Sequence, residues 1–203
     1  MASTTIDTDT ELSAVNAILG AIGQSPQTTL NYNNPEIGFI YNLLRDSNVD
    51  IQNEGWHFNQ ENHVKINPDD NGNFLVPTNY LRFDIHEGQV DRNRDVVVRN
   101  GKLWDNVLHT DVFTSGFYFD ITTLYPFVDV PPVFQRYIIA SAAVRAAAQL
   151  VSNTDLVKLL NINKEKTRSN VIEYDTQMGD HSFFGWPHES AYRSYQPYNA
   201  LAR

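Results

Sequence analysis

Six histidines are the side chains in this sequence best suited to hold a metal ion or to transfer a proton. They are His57, His63, His86, His109, His181 and His188. No two of them are four residues apart, which a two-histidine metal site on one helix requires. His63 and His86 lie where strand alternation directs polar side chains outward. We therefore expect no metal site. The sequence has no cysteine, which also excludes thiolate ligands, cysteine nucleophiles and disulfides.

Four carboxylates that lie close together in the sequence could supply the acid pair of a glycoside hydrolase. They are Asp84, Glu87, Asp91 and Asp95. Three arginines near them are ordinary ion-pair partners, namely Arg82, Arg92 and Arg94. We interpret the group as charges that solvate an exposed strand. The alternative that stays open is a carbohydrate-active or glycan-binding protein that acts through these carboxylates and the aromatic side chains of the same region.

The motifs of other catalytic classes are missing. The sequence contains no G-x-S-x-G elbow, no Walker loop and no G-x-G-x-x-G turn. The segment from Asp69 to Asn73 has oxygen-bearing side chains at alternate positions, as calcium loops do, but Gly72 comes two positions too early and no glutamate closes the loop. A turn between strands, preset by Pro68, explains the segment better. We assign no catalytic, cofactor-binding or metal-binding residue and expect that the protein is not an enzyme.

The composition is that of a folded and acidic protein. Its 203 residues suffice for one domain or two small ones, and 41% of them are hydrophobic while 19% are charged. The formal net charge is −9, and the basic residues form no cluster, which disfavours a protein that grips nucleic-acid phosphates. No apolar run approaches the roughly 18 residues of a membrane span, and the N-terminus does not look like a signal peptide. We therefore expect synthesis in a cytoplasm and no membrane contact.

Helical periodicity precedes residue 56. Thr8, three residues before Glu11, predicts a capping box for a first helix that Gly23 ends. Asn34, followed by a proline, predicts the cap of a second helix, which continues to Gly55.

Two more helices are predicted after residue 130. The pair Pro131-Pro132 opens a third helix, whose alanine-rich face extends to Leu150 and suits close helix packing. Thr154 is the predicted cap of a fourth helix, and Gly179 ends it.

Between the two pairs of helices the period of hydrophobicity changes from 3.6 to 2 residues. Residues 81–86 alternate between apolar and polar side chains, as a half-buried strand does. Asn100-Gly101 is flanked by apolar runs and predicts a tight hairpin, because both residues tolerate positive φ. Phe117, Phe119 and Ile121 form a further alternating face. These patterns predict an antiparallel β module.

The predicted fold class is α+β, with a four-helix bundle-like module that is interrupted by a small, sandwich-like or barrel-like β module. The divisions are residues 1–55 and 131–179 for the helical module, 56–130 for the β module and 180–203 for an extended C-terminal tail. Gly55 ends the second helix at the change of period. Trp56 and Phe58 follow it and would bury large areas, so we predict that they join the two modules.

The last 24 residues are unusually rich in aromatic side chains for a segment without helical or strand periodicity. The aromatic residues are Phe183, Phe184, Trp186, Tyr192, Tyr195 and Tyr198. Aromatic residues this dense usually need a surface to cover them, and we predict that another protein supplies it. The alternative is a tail that folds back over its own core.

Several local patterns, taken in order between residue 11 and about residue 150, resemble the tail tubular protein A family of T7-like short-tailed phages. They are Glu11-Leu12-Ser13-Ala14-Val15-Asn16, Ile18-Leu19, Ile22-Gly23, Pro26 and Leu30; Gly55-Trp56-His57-Phe58-Asn59; Pro68-Asp69 and Val76-Pro77-Thr78-Asn79-Tyr80-Leu81; and Arg99-Asn100-Gly101-Lys102-Leu103-Trp104-Asp105. Each pattern alone is weak, but the colinear set is specific.

The resemblance implies a structural protein of the virion tail. It implies a dodecameric ring below the portal, with the nozzle protein (tail tubular protein B) beneath, tail fibres at the rim, and genomic DNA passing through the channel without specific binding. Relatives use the C-terminal segment to contact the portal, so the six tail aromatics are the candidate portal contact by position. Two alternatives stay open, a glycan-active tail component and a free-standing β-sandwich binding module that forms no rings.

Overall fold

The structure is a computed structural model that describes residues 10–86 and 95–179. Within these residues the chain forms four α-helices and five β-strands. The helices are α1 (Glu11–Ala21), α2 (Pro35–Asn53), α3 (Pro132–Ala146) and α4 (Thr154–Met178). The strands are β1 (Gln60–Ile66), β2 (Tyr80–Ile85), β3 (Val96–Arg99), β4 (Lys102–Asp105) and β5 (Phe117–Thr123). The mixed α+β class that the sequence predicts is therefore confirmed.

The caps of the helices agree with the sequence prediction at α2 and differ at α1 and α4. The predicted cap Asn34 accepts a hydrogen bond from the Glu36 N–H at 3.1 Å. At α1 the predicted cap Thr8 is wrong, because the helix begins at Glu11 and Thr10 accepts the Ser13 N–H at 3.2 Å instead. At α4 the predicted cap Thr154 is the first helical residue. The side chain of the preceding Asn153 accepts the two free N–H groups that follow.

The chain between α3 and α4 departs from the predicted continuous helix. Regular α-helix stops at Ala146, and residues Ala147–Val151 form one π-helical turn. Ser152 then adopts a left-handed conformation with φ of 54°, which reverses the chain into α4. α4 ends at Gly179, as the sequence predicts.

α3 is the central helix of the helical module. It packs against α1, α2 and α4, and its small buried residues Ala142, Ala143 and Ala146 allow a close approach. α4 packs mainly on α3 and buries Val171 fully, while most of its other side chains are half-buried or exposed. In the predicted four-helix bundle, the other three helices are thus packed around α3, and α4 forms an outer layer.

The β module contains two small antiparallel sheets. One sheet has the strand order β1-β5-β2, and the other is the β3–β4 hairpin. The predicted hairpin is confirmed, with Asn100 at φ 53° and Gly101 at φ 73° in its turn. Both sheets contribute to one hydrophobic core. This core consists of Phe74, Phe83, Leu103, Phe113, Phe117, Phe119 and Ile121.

Two aromatic residues and one valine outside the helices belong to the core of the helical module. They are Trp56, Phe127 and Val130, and they flank the β module in the sequence. The chain therefore enters and leaves the β module through the helical core. In the part of the chain that the structure describes, no helix combines the length and the apolar character that crossing a membrane requires.

Candidate assembly surfaces and the junction of the two modules

Gly55 makes the turn that carries the chain from α2 into the β module. Its φ is +78°, in the left-handed region that side chains with a Cβ rarely adopt. Its N–H donates to the Gln52 carbonyl at 3.1 Å, which closes the end of α2. A Cβ at this position would also collide with the side-chain amide of Gln60. The turn is therefore specific for glycine.

Trp56 and Phe58 place two aromatic rings on the same residue of α3. The buried indole of Trp56 lies edge-on to Phe134 with 5.1 Å between centroids, and the half-buried Phe58 ring lies 4.6 Å from the same ring. The indole Nε1–H donates to the Ile51 carbonyl at 2.6 Å, so its polar atom is satisfied inside the core. The two residues thus connect the end of α2, the start of β1 and the first turn of α3.

Two buried amide side chains of α2 bind the backbone just after the end of β5. Gln52 accepts a hydrogen bond from the Tyr125 N–H at 2.8 Å and donates to the Tyr125 carbonyl at 2.9 Å. Asn48, one turn earlier, donates to the same carbonyl at 3.2 Å and accepts from Gln52 at 2.8 Å. Sequence reasoning missed this pair. The available signal was two amide residues four positions apart on the apolar face of a predicted helix.

A third buried amide, Asn59, links α2 to the end of β5. Its Nδ2 group donates to the carbonyls of Gln52 at 2.9 Å and Thr123 at 3.1 Å, and its Oδ1 accepts the Trp56 N–H at 2.8 Å. The Thr123 N–H in turn donates to the Asn59 carbonyl at 2.8 Å. All the polar atoms of the Asn59 side chain are satisfied, so this junction is fixed by direction-dependent bonds as well as by packing.

The C-terminal half of α4 is attached to the end of α2 by an arginine. Arg168 forms two parallel hydrogen bonds to the carboxylate of Glu54, at 3.0 and 2.9 Å, and donates to the Tyr137 hydroxyl at 2.7 Å. The hydrogen bonds that Arg168 donates to Glu54 and then to Tyr137 raise its pKa above the ordinary value. Asp175 accepts the His57 N–H at 2.9 Å on the same side. These contacts set how α4 lies against the junction.

An open cleft of about 810 Å³ lies beside α2, and we call it the α2 cleft. Its lining side chains include Glu11, Tyr41, Leu44, Arg45, Asp46, Asn48, Val49, Asp50, Leu124, Tyr125, Pro126, Phe127 and Arg145. Arg145 and Asp50 form an ion pair at 2.6 Å across it. The Tyr41 hydroxyl lies 3.3 Å from the Glu11 carboxylate, and burial together with that negative charge raises the pKa of Tyr41. The cleft mixes apolar walls with charges of both signs.

Both modules expose large aliphatic side chains. In the β module Leu75 is 65% exposed and Leu108 is 59% exposed. In the helical module Leu159 and Ile162 are 65% and 67% exposed, and both belong to the first half of α4. Leu159 and Ile162 are three residues apart on one helix and therefore neighbours, and an exposed aliphatic pair of this kind is typical of a surface that another protein covers.

The predicted outward position of His63 and His86 holds for His63, which is exposed, whereas His86 is half-buried. The Nδ1 atom of His86 lies 2.9 Å from the Asp120 carboxylate, which also accepts the His63 N–H. The His63 ring stacks on Tyr118 at 4.2 Å. Across residues 10–86 and 95–179, no three histidine, aspartate or glutamate side chains converge to hold a metal ion. His181 and His188 lie outside the described residues.

The acidic residues considered for glycan chemistry are only partly described. Asp84 is exposed on β2 and forms an ion pair with Arg82 at 3.7 Å. Asp95 accepts a hydrogen bond from the Asn106 side chain at 3.0 Å beside the hairpin. Glu87 and Asp91, with Arg92 and Arg94, lie outside the described residues. The predicted turn at residues 69–73 is confirmed, since the Asp69 carboxylate accepts the N–H groups of Asn71 and Asn73.

The six aromatic residues predicted to contact the portal lie outside the described residues. They are Phe183, Phe184, Trp186, Tyr192, Tyr195 and Tyr198. The last described residue is Gly179, at the C-terminal end of α4.

The model of a family described as tail tubular protein matches residues 12–181, which is most of the chain. The search of curated proteins found no match.

Proposed function

Since this chain belongs to the tail tubular protein family, whose members are structural proteins of phage tails, we propose that it is the ring-forming adaptor that joins the portal to the tail nozzle. The ring has dodecameric symmetry and assembles in the host cytoplasm. The portal lies above it, tail tubular protein B lies below it, and tail fibres dock at its rim. Genomic DNA passes through its channel without specific binding.

The observation that supports this proposal most is the exposure of large aliphatic side chains on both modules. Leu75 and Leu108 belong to the β module, and Leu159 and Ile162 belong to α4. A subunit that contacts neighbours and other tail proteins at the same time needs separate apolar surfaces. The internal junction contrasts with them, because its aromatic and amide groups are buried and paired within the chain.

The chain's charge suits a channel for DNA. With a formal charge of −9 per copy, a dodecamer carries −108. Such a charge repels the phosphate backbone and lowers the residence time of DNA on the wall. Passage during ejection requires this kind of weak contact.

We assign a part of this function to each division of the chain. Residues 1–55 and 131–179 form the helical module, residues 56–130 form the β module, and residues 180–203 bind the portal through their aromatic side chains. Gly55, Trp56 and Phe58 set the angle between the modules. That angle matters in a ring, because a small error in each subunit accumulates around the circle.

Mixing the purified chain with its portal tests the proposal. We expect a complex in which a closed ring of this chain caps the portal, seen in negative-stain images and by native mass spectrometry. A chain that stays monomeric and does not bind the portal would contradict the proposal. Hydrolysis or tight binding of host capsular or cell-wall polysaccharide by the chain would instead favour the glycan-active alternative.

Deletion of residues 180–203 tests the assigned portal contact. We expect that the shortened chain folds, because the described cores lie within residues 10–179, and that it no longer associates with the portal. Circular dichroism checks the fold, and co-sedimentation with the portal checks binding. Binding equal to that of the full chain would remove the six aromatic residues from the portal contact.

A further inference from the structure

Leu159, Ile162 and Lys166 lie on one side of α4, and we call this surface the α4 stripe. Spacings of three and four residues bring side chains onto the same helix face. Val171, the buried residue that anchors α4 on α3, lies on the opposite face by the same geometry. Lys166 is exposed and makes no ion pair with the residues that the structure describes. The stripe therefore presents two aliphatic side chains and one positive charge to a partner.

The α2 cleft has the complementary character. Tyr41, Val49 and Phe127 give it apolar walls. Its lining has three carboxylates against two guanidinium groups, so its formal charge is −1. The first half of α4, residues 154–166, has three basic and two acidic side chains, so its formal charge is +1. Opposite charges at two surfaces favour their association and fix its orientation.

The two surfaces are separate parts of one molecule. None of the residues of α4, all of which the structure describes, lines the α2 cleft. A closed ring of identical subunits needs such an arrangement, because a head-to-tail contact joins two different surfaces that every copy carries. A twofold dimer would need one self-complementary surface instead.

We propose that the α4 stripe of one copy docks into the α2 cleft of the next copy around the ring. The occupant of the cleft is thus a second copy of this chain, with Leu159 and Ile162 as the apolar anchors and Lys166 facing the acidic side chains. This inference rests on the proposed ring. It adds which surfaces form the contact between neighbours.

The double variant Leu159→Glu with Ile162→Glu tests the stripe. We expect ring formation on the portal to fall about tenfold or more, as when central interface residues are lost, while the variant keeps the helix content and Tm of the native chain. Ile172→Glu is the matched control, since Ile172 is also exposed on α4 but lies on another side of the helix. It should assemble like the native chain. Rings are counted by analytical ultracentrifugation and negative-stain imaging.

Cysteine cross-linking tests the contact directly, because the native chain has no cysteine. A chain with both Ile162→Cys and Asp46→Cys, assembled on the portal and treated with a bifunctional maleimide, should give a ladder of linked copies. A mixture of the two single variants should stop at pairs, and each single variant alone should give no product.

Two results would overturn the inference in distinguishable ways. In the first result, the native chain forms rings, the Leu159→Glu/Ile162→Glu variant assembles equally well, and the cross-linked ladder is missing. The proposed ring is then kept, but these two surfaces are not the contact between its subunits. The stripe would then face the portal or residues 180–203 of the same chain. If the native chain forms no ring with its portal, the proposed function fails together with the inference.

Discussion

Gly55 adopts a backbone conformation that residues with a Cβ rarely adopt, and it does so at the junction of the two modules. We expect Gly55→Ala to lower the free energy of unfolding by about 1–2 kcal/mol, because alanine at a φ of +78° is strained. Urea denaturation followed by circular dichroism measures the change. Gly20→Ala is the matched control, since Gly20 is exposed in α1 and its added Cβ meets nothing within 4 Å. That substitution should raise stability slightly, and equal losses in both variants would contradict the role of Gly55.

Gln52 is the buried side chain that holds the backbone where the chain returns from β5 to the helical module. We expect Gln52→Leu to lower the free energy of unfolding by about 2 kcal/mol, because it leaves the half-buried N–H group of Tyr125 without its partner. The same denaturation experiment checks this value. Asn42→Leu changes an exposed amide of the same helix and should have little effect. A Gln52→Leu chain as stable as the native one would show that water replaces the lost bond.

The residues at the junction differ in how far the sequence reveals them. A local signal reveals Gly55, Trp56 and Phe58, because a glycine and two large aromatic residues coincide with the change in the period of hydrophobicity. Gln52 is not revealed in this way, since its partner Tyr125 is 73 residues away and no local pattern connects them. Buried amides of this kind become visible only when the fold brings distant backbone groups together.

At the scale of the elements, α4 depends on the rest of the molecule more than α1, α2 and α3 do. We expect Arg168→Met to increase amide hydrogen exchange along the C-terminal half of α4 and to leave α1 unchanged, because α4 buries little and loses its link to Glu54. Hydrogen exchange measured by mass spectrometry resolves the two helices. Lys158→Met, which removes an exposed ion pair on the same helix, should change nothing. Faster exchange in all helices alike would contradict this view.

The elements themselves are mostly predictable, because their signals are local. Asn34, the hairpin turn Asn100-Gly101 and the stop at Gly179 are each determined by a few neighbouring residues, and the structure agrees with them. The π-helical turn after α3 is different. The alanine-rich sequence there allows a regular helix, and the turn to α4 through Ser152 arises from how the two helices pack.

At the scale of the whole molecule, the chain combines two hydrophobic cores with apolar side chains that it leaves exposed. The helical core and the β core are joined by Trp56, Phe58 and three buried amides, so each module constrains the position of the other. Leu75, Leu108, Leu159 and Ile162 remain exposed on the outside. Membership of a structural tail family explains this contrast, since such a subunit completes its apolar burial by assembly.

The assembly lies beyond what one chain's sequence determines. Periodicity identifies which side chains are buried within a subunit, but ring symmetry depends on the angle between two surfaces of neighbouring copies. In the contact proposed above, that angle is a property of the folded subunit, because it would depend on how α4 and α2 are placed around α3. The expectation of a ring comes from the family resemblance, which rests on short colinear patterns. The period of hydrophobicity alone does not predict a ring.

Electron cryomicroscopy of the intact virion tail tests the central claim most directly. We predict that this chain is traced as a closed ring between portal and nozzle, with the DNA channel along its axis and α4 of each copy against α2 of its neighbour. A map in which the chain lies away from the axis, for example as a monomer on a fibre, or in which another protein forms the ring below the portal, would contradict it.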